Sequence, residues 1–202
     1  MKAADYADIM MMGGWNMYSP ERKPQLLVFA GPNGSGKSTV TRSEKIVGEY
    51  INADKIKALK GCTDLEAAQE AERLRELLLS RRMDFTFETV LSTPRNLLLL
   101  QRAKQAGYYI RVIFVLTNDS SINIQRVADR VKKGGHDVPE EKIRSRYGKS
   151  LQNLKELYKV CDDLLVFDNS GDGPVLIGTV HDKRLLYYEN EMWSREEVLK
   201  LF

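Results

Sequence analysis

Gly31-Pro32-Asn33-Gly34-Ser35-Gly36-Lys37-Ser38-Thr39 is the stretch on which the reading of this chain turns. It fits the spacing G-x-x-x-x-G-K-[ST], and it follows Leu26-Leu27-Val28-Phe29-Ala30, a short continuous apolar run. An apolar run that stops at a glycine-rich turn is the pattern of a buried parallel strand opening a βα unit, the context in which this spacing forms a P-loop. Glycines let the backbone wrap with its N–H groups pointing inward, and the helix that follows turns its positive end to the same anion. The motif therefore predicts ATP as ligand, cradled by residues 31–39. Lys37 reaches the β- and γ-phosphates and Ser38 supplies an oxygen to Mg²⁺.

Strand-like runs recur at Tyr50-Ile51-Asn52, Phe85-Thr86-Phe87, Tyr108 to Leu116 and Leu164 to Phe167, with helical periodicity between them. Such alternation predicts an α/β fold, a three-layer P-loop architecture whose mainly parallel sheet has helices on both faces. Ala67, Ala71, Leu74 and Leu78 mark one face of a helix over 64–82. Thr93-Pro94 starts another helix, which Gly107 stops. Ile143, Tyr147, Leu151, Leu154 and Tyr158 mark a long helix over 139–160. Val175 to Thr179 and Leu185 to Tyr188 read as a β-hairpin, and Ser194-x-x-Glu197 as a capping box opening a last helix. Residues 1–24 lack sustained periodicity and read as a flexible leader before a kinase domain over 25–202.

Composition narrows the class further. The 202 residues carry a formal net charge of +3, too little to imply a nucleic-acid partner unless it gathers on one face. No run approaches the roughly 18 apolar residues of a membrane span, and no signal-peptide core forms. Cys62 and Cys161 are the two cysteines and have no metal-ligand spacing, so a reducing cytoplasm is expected. The P-loop alone does not separate kinases from other nucleotide-driven proteins. A guanine-reading N-K-x-D is absent, however, since Thr117-Asn118-Asp119-Ser120 lacks the lysine, and no strand ends in an acidic pair like that of a motor.

Four blocks together resemble the zeta-toxin family of P-loop kinases: Gly31 to Thr39, Asn52-Ala53-Asp54-Lys55-Ile56, Phe87-Glu88-Thr89-Val90-Leu91-Ser92, and Arg126 to Tyr147. The last, with Gly134-Gly135-His136-Asp137-Val138-Pro139 and Arg144-Ser145-Arg146-Tyr147, is especially similar to the short zeta-like proteins. The resemblance implies ATP-dependent phosphorylation of a sugar hydroxyl, with UDP-N-acetylglucosamine the acceptor of the best-known members, and an antitoxin protein as partner of those members that are toxins. Val90 and Ser92 stand where the better-known toxins place a threonine and an arginine, which implies a different acceptor, another nucleotide sugar or a smaller hydroxylated molecule.

Asp54 lies just beyond the second strand, where open α/β sheets bind ligands, and matches the family's catalytic aspartate. A carboxylate there orients the acceptor hydroxyl and takes its proton; the same residue also suits the cap of the following helix. Glu88 ends the third strand and resembles the acceptor-binding glutamate, with Thr89 beside it as a further donor. Arg126 and Arg130, spaced i and i+4, share a helix face ahead of the Gly134-Gly135 joint, the pattern of a lid over about 120–147. Arg130 and Arg144 best match the two phosphate-contacting arginines of the family. Arg146 is the alternative to Arg144, because residues two apart on a helix lie about 200° apart. Asn169, in Asp168-Asn169-Ser170 after the Leu164 to Phe167 strand, occupies the loop expected to touch adenine. A solvated surface charge for any single arginine, a polynucleotide 5′-hydroxyl kinase, and a nucleotide-binding module without catalysis remain the competing readings.

Overall fold

The structure is a computed structural model and describes residues 22–202. The expected leader thus lies outside the described residues except for Arg22 to Pro24, where Arg22 pairs with Asp84 and the Pro24 carbonyl accepts from Tyr109 N–H at 2.8 Å.

The strands are β1 (Gln25–Ala30), β2 (Glu49–Ile51), β3 (Phe85–Thr89), β4 (Tyr109–Leu116), β5 (Asp163–Asp168), β6 (Val175–His181) and β7 (Arg184–Tyr187). The helices are α1 (Lys37–Thr41), α2 (Ala53–Lys60), α3 (Asp64–Ser80), α4 (Pro94–Gln105), α5 (Ser120–Lys132), α6 (Glu140–Val160) and α7 (Arg195–Lys200). Among the described residues the strands form one sheet in the order β2-β3-β1-β4-β5-β6-β7. The first five run parallel, while β6 and β7 are antiparallel additions at one edge.

β1 is apolar at every position after Gln25 because both of its faces are covered, as parallel strands require. Leu26, Val28 and Ala30 join the larger core cluster with Phe85, Phe87, Leu100 and Leu154, whereas Leu27 and Phe29 join Val40, Ile113 and Phe167 on the opposite face. Between β3 and β4 the order reverses about β1, and ligands bind at the carboxyl ends of strands flanking such a switch point. The register sets Glu88 opposite Phe29 and Thr89 opposite Ala30, which brings the end of β3 level with the start of the P-loop.

Local details refine the sequence expectations. Asn52 is not part of β2 but the N-cap of α2, its Oδ1 accepting from Lys55 N–H at 3.1 Å. A capping box between Thr63 and Glu66 opens α3, and the one between Ser194 and Glu197 opens α7 as expected. The hairpin forms, with Asp182 and Lys183 at positive φ in its two-residue turn. That conformation usually selects glycine or asparagine.

Candidate active site

The P-loop emerges from β1 and runs straight into α1. Gly36 is the N-cap of α1 in the left-handed region and offers no side-chain bond, so the N–H groups of the first turn have no capping side chain. Ser38 and Thr39 are exposed at that same end. Next to them Ser35 Oγ is buried with no hydrogen-bond partner among the described residues. Lys37 is half-buried, and its Nζ donates to the carbonyls of Gly31 at 2.7 Å and Pro32 at 2.9 Å. Burial pushes its ammonium down to about 8; the nearby charge of Glu88 opposes this, Arg130 adds to it, and Asp54 opposes it. An uncapped helix start and a desolvated lysine are complementary to a polyphosphate anion, so these residues fit ATP.

Two carboxylates stand at the ends of the neighbouring strands β2 and β3. Asp54 stands in the first turn of α2, and because Asn52 already caps that helix, Asp54 is free of the capping duty. Its exposed side chain lines a cleft of ≈ 620 Å³ together with Lys57, Cys62, Arg130 and His136. Glu88 is half-buried, and its Oε1 accepts from the Tyr50 hydroxyl and from Thr41 Oγ1 at 3.4 Å. Burial, and then the bond to Glu88, raise the Tyr50 hydroxyl above the ordinary phenol range, so it stays a donor. Thr89 is buried, its hydroxyl oxygen accepting from Leu91 N–H at 2.9 Å and Asn96 Nδ2 at 2.6 Å. It therefore shapes the turn after β3.

The lid arginines part company. Arg130 is exposed, lines the cleft opposite Asp54 and donates to the His136 carbonyl at 2.6 Å. Arg126 donates to the Asn169 carbonyl at 2.7 Å, which ties α5 to the loop after β5. On α6 it is Arg146, not Arg144, that reaches the P-loop, with Nη1 at 3.4 Å from Asn33 Oδ1. Arg144 instead pairs with Glu140 one turn back at 2.8 Å, its side chain 55% exposed. The reason is helical geometry: Arg146 lies between buried Ile143 and Ser150 on the inward face, and a two-residue step turns Arg144 away.

Asn169 is buried, and its Nδ2 donates to the Ser35 carbonyl at 2.8 Å. Its amide thus meets the P-loop backbone. Preceding it, Asp168 accepts from Ser170 N–H at 2.9 Å, Ser170 Oγ at 2.8 Å and Trp193 Nε1 at 3.0 Å, so the loop is braced by the C-terminal segment. Sequence reading passed over Tyr50, Lys57, Asn123 and His136. Of these only His136, beside the glycine pair of the lid, had a local signal; the others become visible through contacts between elements far apart in the chain.

Comparison with known proteins bears on family and fold. The family model described as zeta toxin matches residues 49–177. An uncharacterized protein of Haemophilus influenzae is 29% identical over 127 residues, covering 60% of this chain and 91% of that protein. Among solved structures, the AvrRxo1-ORF1:AvrRxo1-ORF2 complex, also solved with ATP, contains a chain similar at TM-score 0.64 and 16% identity over 83% of this chain. This chain spans 61% of that one. The PezAT toxin-antitoxin system of Streptococcus pneumoniae is similar at TM-score 0.54 and 14% identity, covering 100% of this chain and 93% of its own. At these identities the structural likeness is one of fold.

Proposed function

The chain belongs to the zeta-toxin family, and from that membership we propose that it is a kinase transferring the γ-phosphate of ATP to a hydroxyl of a small molecule, a nucleotide sugar or a smaller hydroxylated metabolite. The observation that carries the reading is the open cleft lined both by Asp54, which does not cap its own helix, and by the lid's Arg130, from two separate elements. A module that only bound nucleotide would have no use for an exposed carboxylate in such a cleft.

ATP held with Mg²⁺ supplies the phosphoryl group. Lys37 neutralises β- and γ-phosphate charge, Ser38 offers the metal its hydroxyl, and the loop N–H groups complete the cradle. Asp54 orients the acceptor hydroxyl and takes its proton as attack proceeds. Glu88, oriented by the Tyr50 hydroxyl, holds acceptor hydroxyls. Arg130 and Arg146 stabilise charge on the transferring group, and Arg146 takes the place expected of Arg144. Thr89 acts through the turn it shapes, and Arg126 and Asn169 act on the loop around the nucleotide. Residues 25–202 serve as one kinase domain, an antitoxin is its proposed protein partner, and the free thiols Cys62 and Cys161 suit a reducing cytoplasm.

Incubating the pure protein with γ-labelled ATP, Mg²⁺ and separate panels of nucleotide sugars, nucleosides and oligonucleotides tests the proposal. Label transfer to a small hydroxylated acceptor is expected; transfer to oligonucleotide ends only, or to nothing, would replace it. Arg146→Ala should lower turnover by about tenfold or more, far more than Arg144→Ala, and equal losses would return the role to both. UDP-N-acetylglucosamine is expected to bind weakly, because Val90 and Ser92 lack the charged donor, which typically contributes a few kcal/mol at a buried contact. Low-micromolar affinity by titration calorimetry with a non-hydrolysable ATP analogue and Mg²⁺, with efficient phosphorylation of that sugar, would overturn this expectation.

A further inference from the structure

We infer that Asn123 and Asn169 are a pair of positioning residues that aim two P-loop N–H groups, those of Gly34 and Gly36, at the bound polyphosphate. The inference rests on the kinase reading for what the loop holds. Neither residue belongs to the P-loop motif. Asn123 sits in the first turn of α5, fully buried, and its Nδ2 donates to the Asn33 carbonyl at 2.6 Å. Its Oδ1 meets the Thr117 hydroxyl, and because a carbonyl oxygen only accepts, it is the amide nitrogen that faces the loop. Asn169, after β5, makes the equivalent bond two residues further on, from Nδ2 to the Ser35 carbonyl. Its own backbone is fixed on both sides, N–H to the Leu116 carbonyl at 2.9 Å and carbonyl from Arg126.

A trans peptide is planar, with C=O and N–H pointing in opposite directions, and no described peptide is cis. The Asn33 carbonyl shares its plane with the Gly34 N–H, and the Ser35 carbonyl with the Gly36 N–H. Pulling each carbonyl outward onto an asparagine amide therefore turns the paired N–H inward. Glycine at both positions would otherwise let the peptide flip and present a carbonyl oxygen to a phosphate. Both glycines stand close against these asparagines: a Cβ on Gly34 would lie 2.5 Å from the Asn123 carbonyl, and one on Gly36 would lie 2.0 Å from Asn169 Nδ2. Each glycine is thus packed against the asparagine that holds the carbonyl before it.

The test follows glycine amides in the full-length protein during titration with Mg²⁺ and ADP, which carries a β-phosphate but no transferable γ-phosphate. Asn33-Gly34 is the one Asn-Gly pair in the chain, so ¹³C-asparagine with ¹⁵N-glycine labelling identifies its amide directly; serine labelling reports both Ser35-Gly36 and Ser170-Gly171, and a Gly171→Ala background, at a site with open space around it, leaves Gly36 alone. In the wild-type protein both amide protons should move downfield on binding. In Asn123→Ala the Gly34 response should disappear with that of Gly36 kept, and in Asn169→Ala the reverse, each with about a tenfold weaker affinity, ~1.4 kcal/mol. Should Asn123→Ala fail to fold, Thr117→Val, which retains the asparagine but frees its amide to turn, should shrink the Gly34 response alone. Unchanged responses with unchanged affinity, or both responses falling together in every variant, overturn the inference. A wild-type protein that binds no Mg²⁺–ADP at all removes the kinase reading and this inference with it, a result distinct from either.

Discussion

Replacing Lys37 with alanine is expected to abolish phosphoryl transfer with little change in the melting temperature. The lysine lies outside both core clusters of the sheet. Burial pushes its ammonium down to about 8 from the ordinary lysine value. Removing it takes away a charge that burial disfavours together with the two bonds to the Gly31 and Pro32 carbonyls, effects of opposite sign, so stability at neutral pH should change little. The sign of the pH effect follows. A lysine titrating at about 8 is mostly charged at pH 7 and mostly neutral at pH 9, so nucleotide affinity should fall as pH rises through 8. Bound phosphates favour the charged form, so binding just above pH 8 should be accompanied by proton uptake. Calorimetry in buffers of different ionisation enthalpy measures that uptake, and Lys37→Ala should abolish it. Unchanged turnover in the variant would remove the P-loop assignment.

The second large effect concerns Asp54. Asp54→Asn keeps the size of the side chain and an exposed position, and Asn52 continues to cap α2, so the variant should fold and bind ATP like the wild-type protein. Acceptor phosphorylation should fall by at least about a hundredfold, the scale of general-base catalysis. Because an amide can still orient a hydroxyl but cannot take its proton, the loss should lie in kcat more than in the KM for ATP. Near wild-type turnover would leave Asp54 with no part in the chemistry, and Glu88, the other carboxylate acting on Lys37, would become the candidate base.

Much of this was legible in the chain because its cause is local. The P-loop needs glycines at fixed steps, a lysine and a hydroxyl at their end, and an apolar strand before them, all within fifteen consecutive residues from Gln25 to Thr39. Strands buried on both faces must be continuously apolar, so β1, β4 and β5 stood out, and the Ser194–Glu197 box stood out because its two bonds lie three residues apart. The zeta-like blocks imply a common site for Asp54, Glu88 and Arg130.

What tertiary structure alone decided is which way side chains face when their partners are distant in sequence. Arg144 and Arg146 are equivalent in type and helix, and only the packing of α6 through Ile143 and Ser150 turns Arg146 to the P-loop. Asn169 stood in a loop where an adenine contact was a fair expectation, yet the approach of that loop to Ser35, 134 positions earlier, directs its amide to the P-loop backbone. Asn123 had no motif to mark it, because its role depends on a carbonyl 90 residues away. Local sequence encodes the backbone path of the phosphate cradle, and the direction of the groups that hold it open is set where α5, α6 and the loop after β5 meet it.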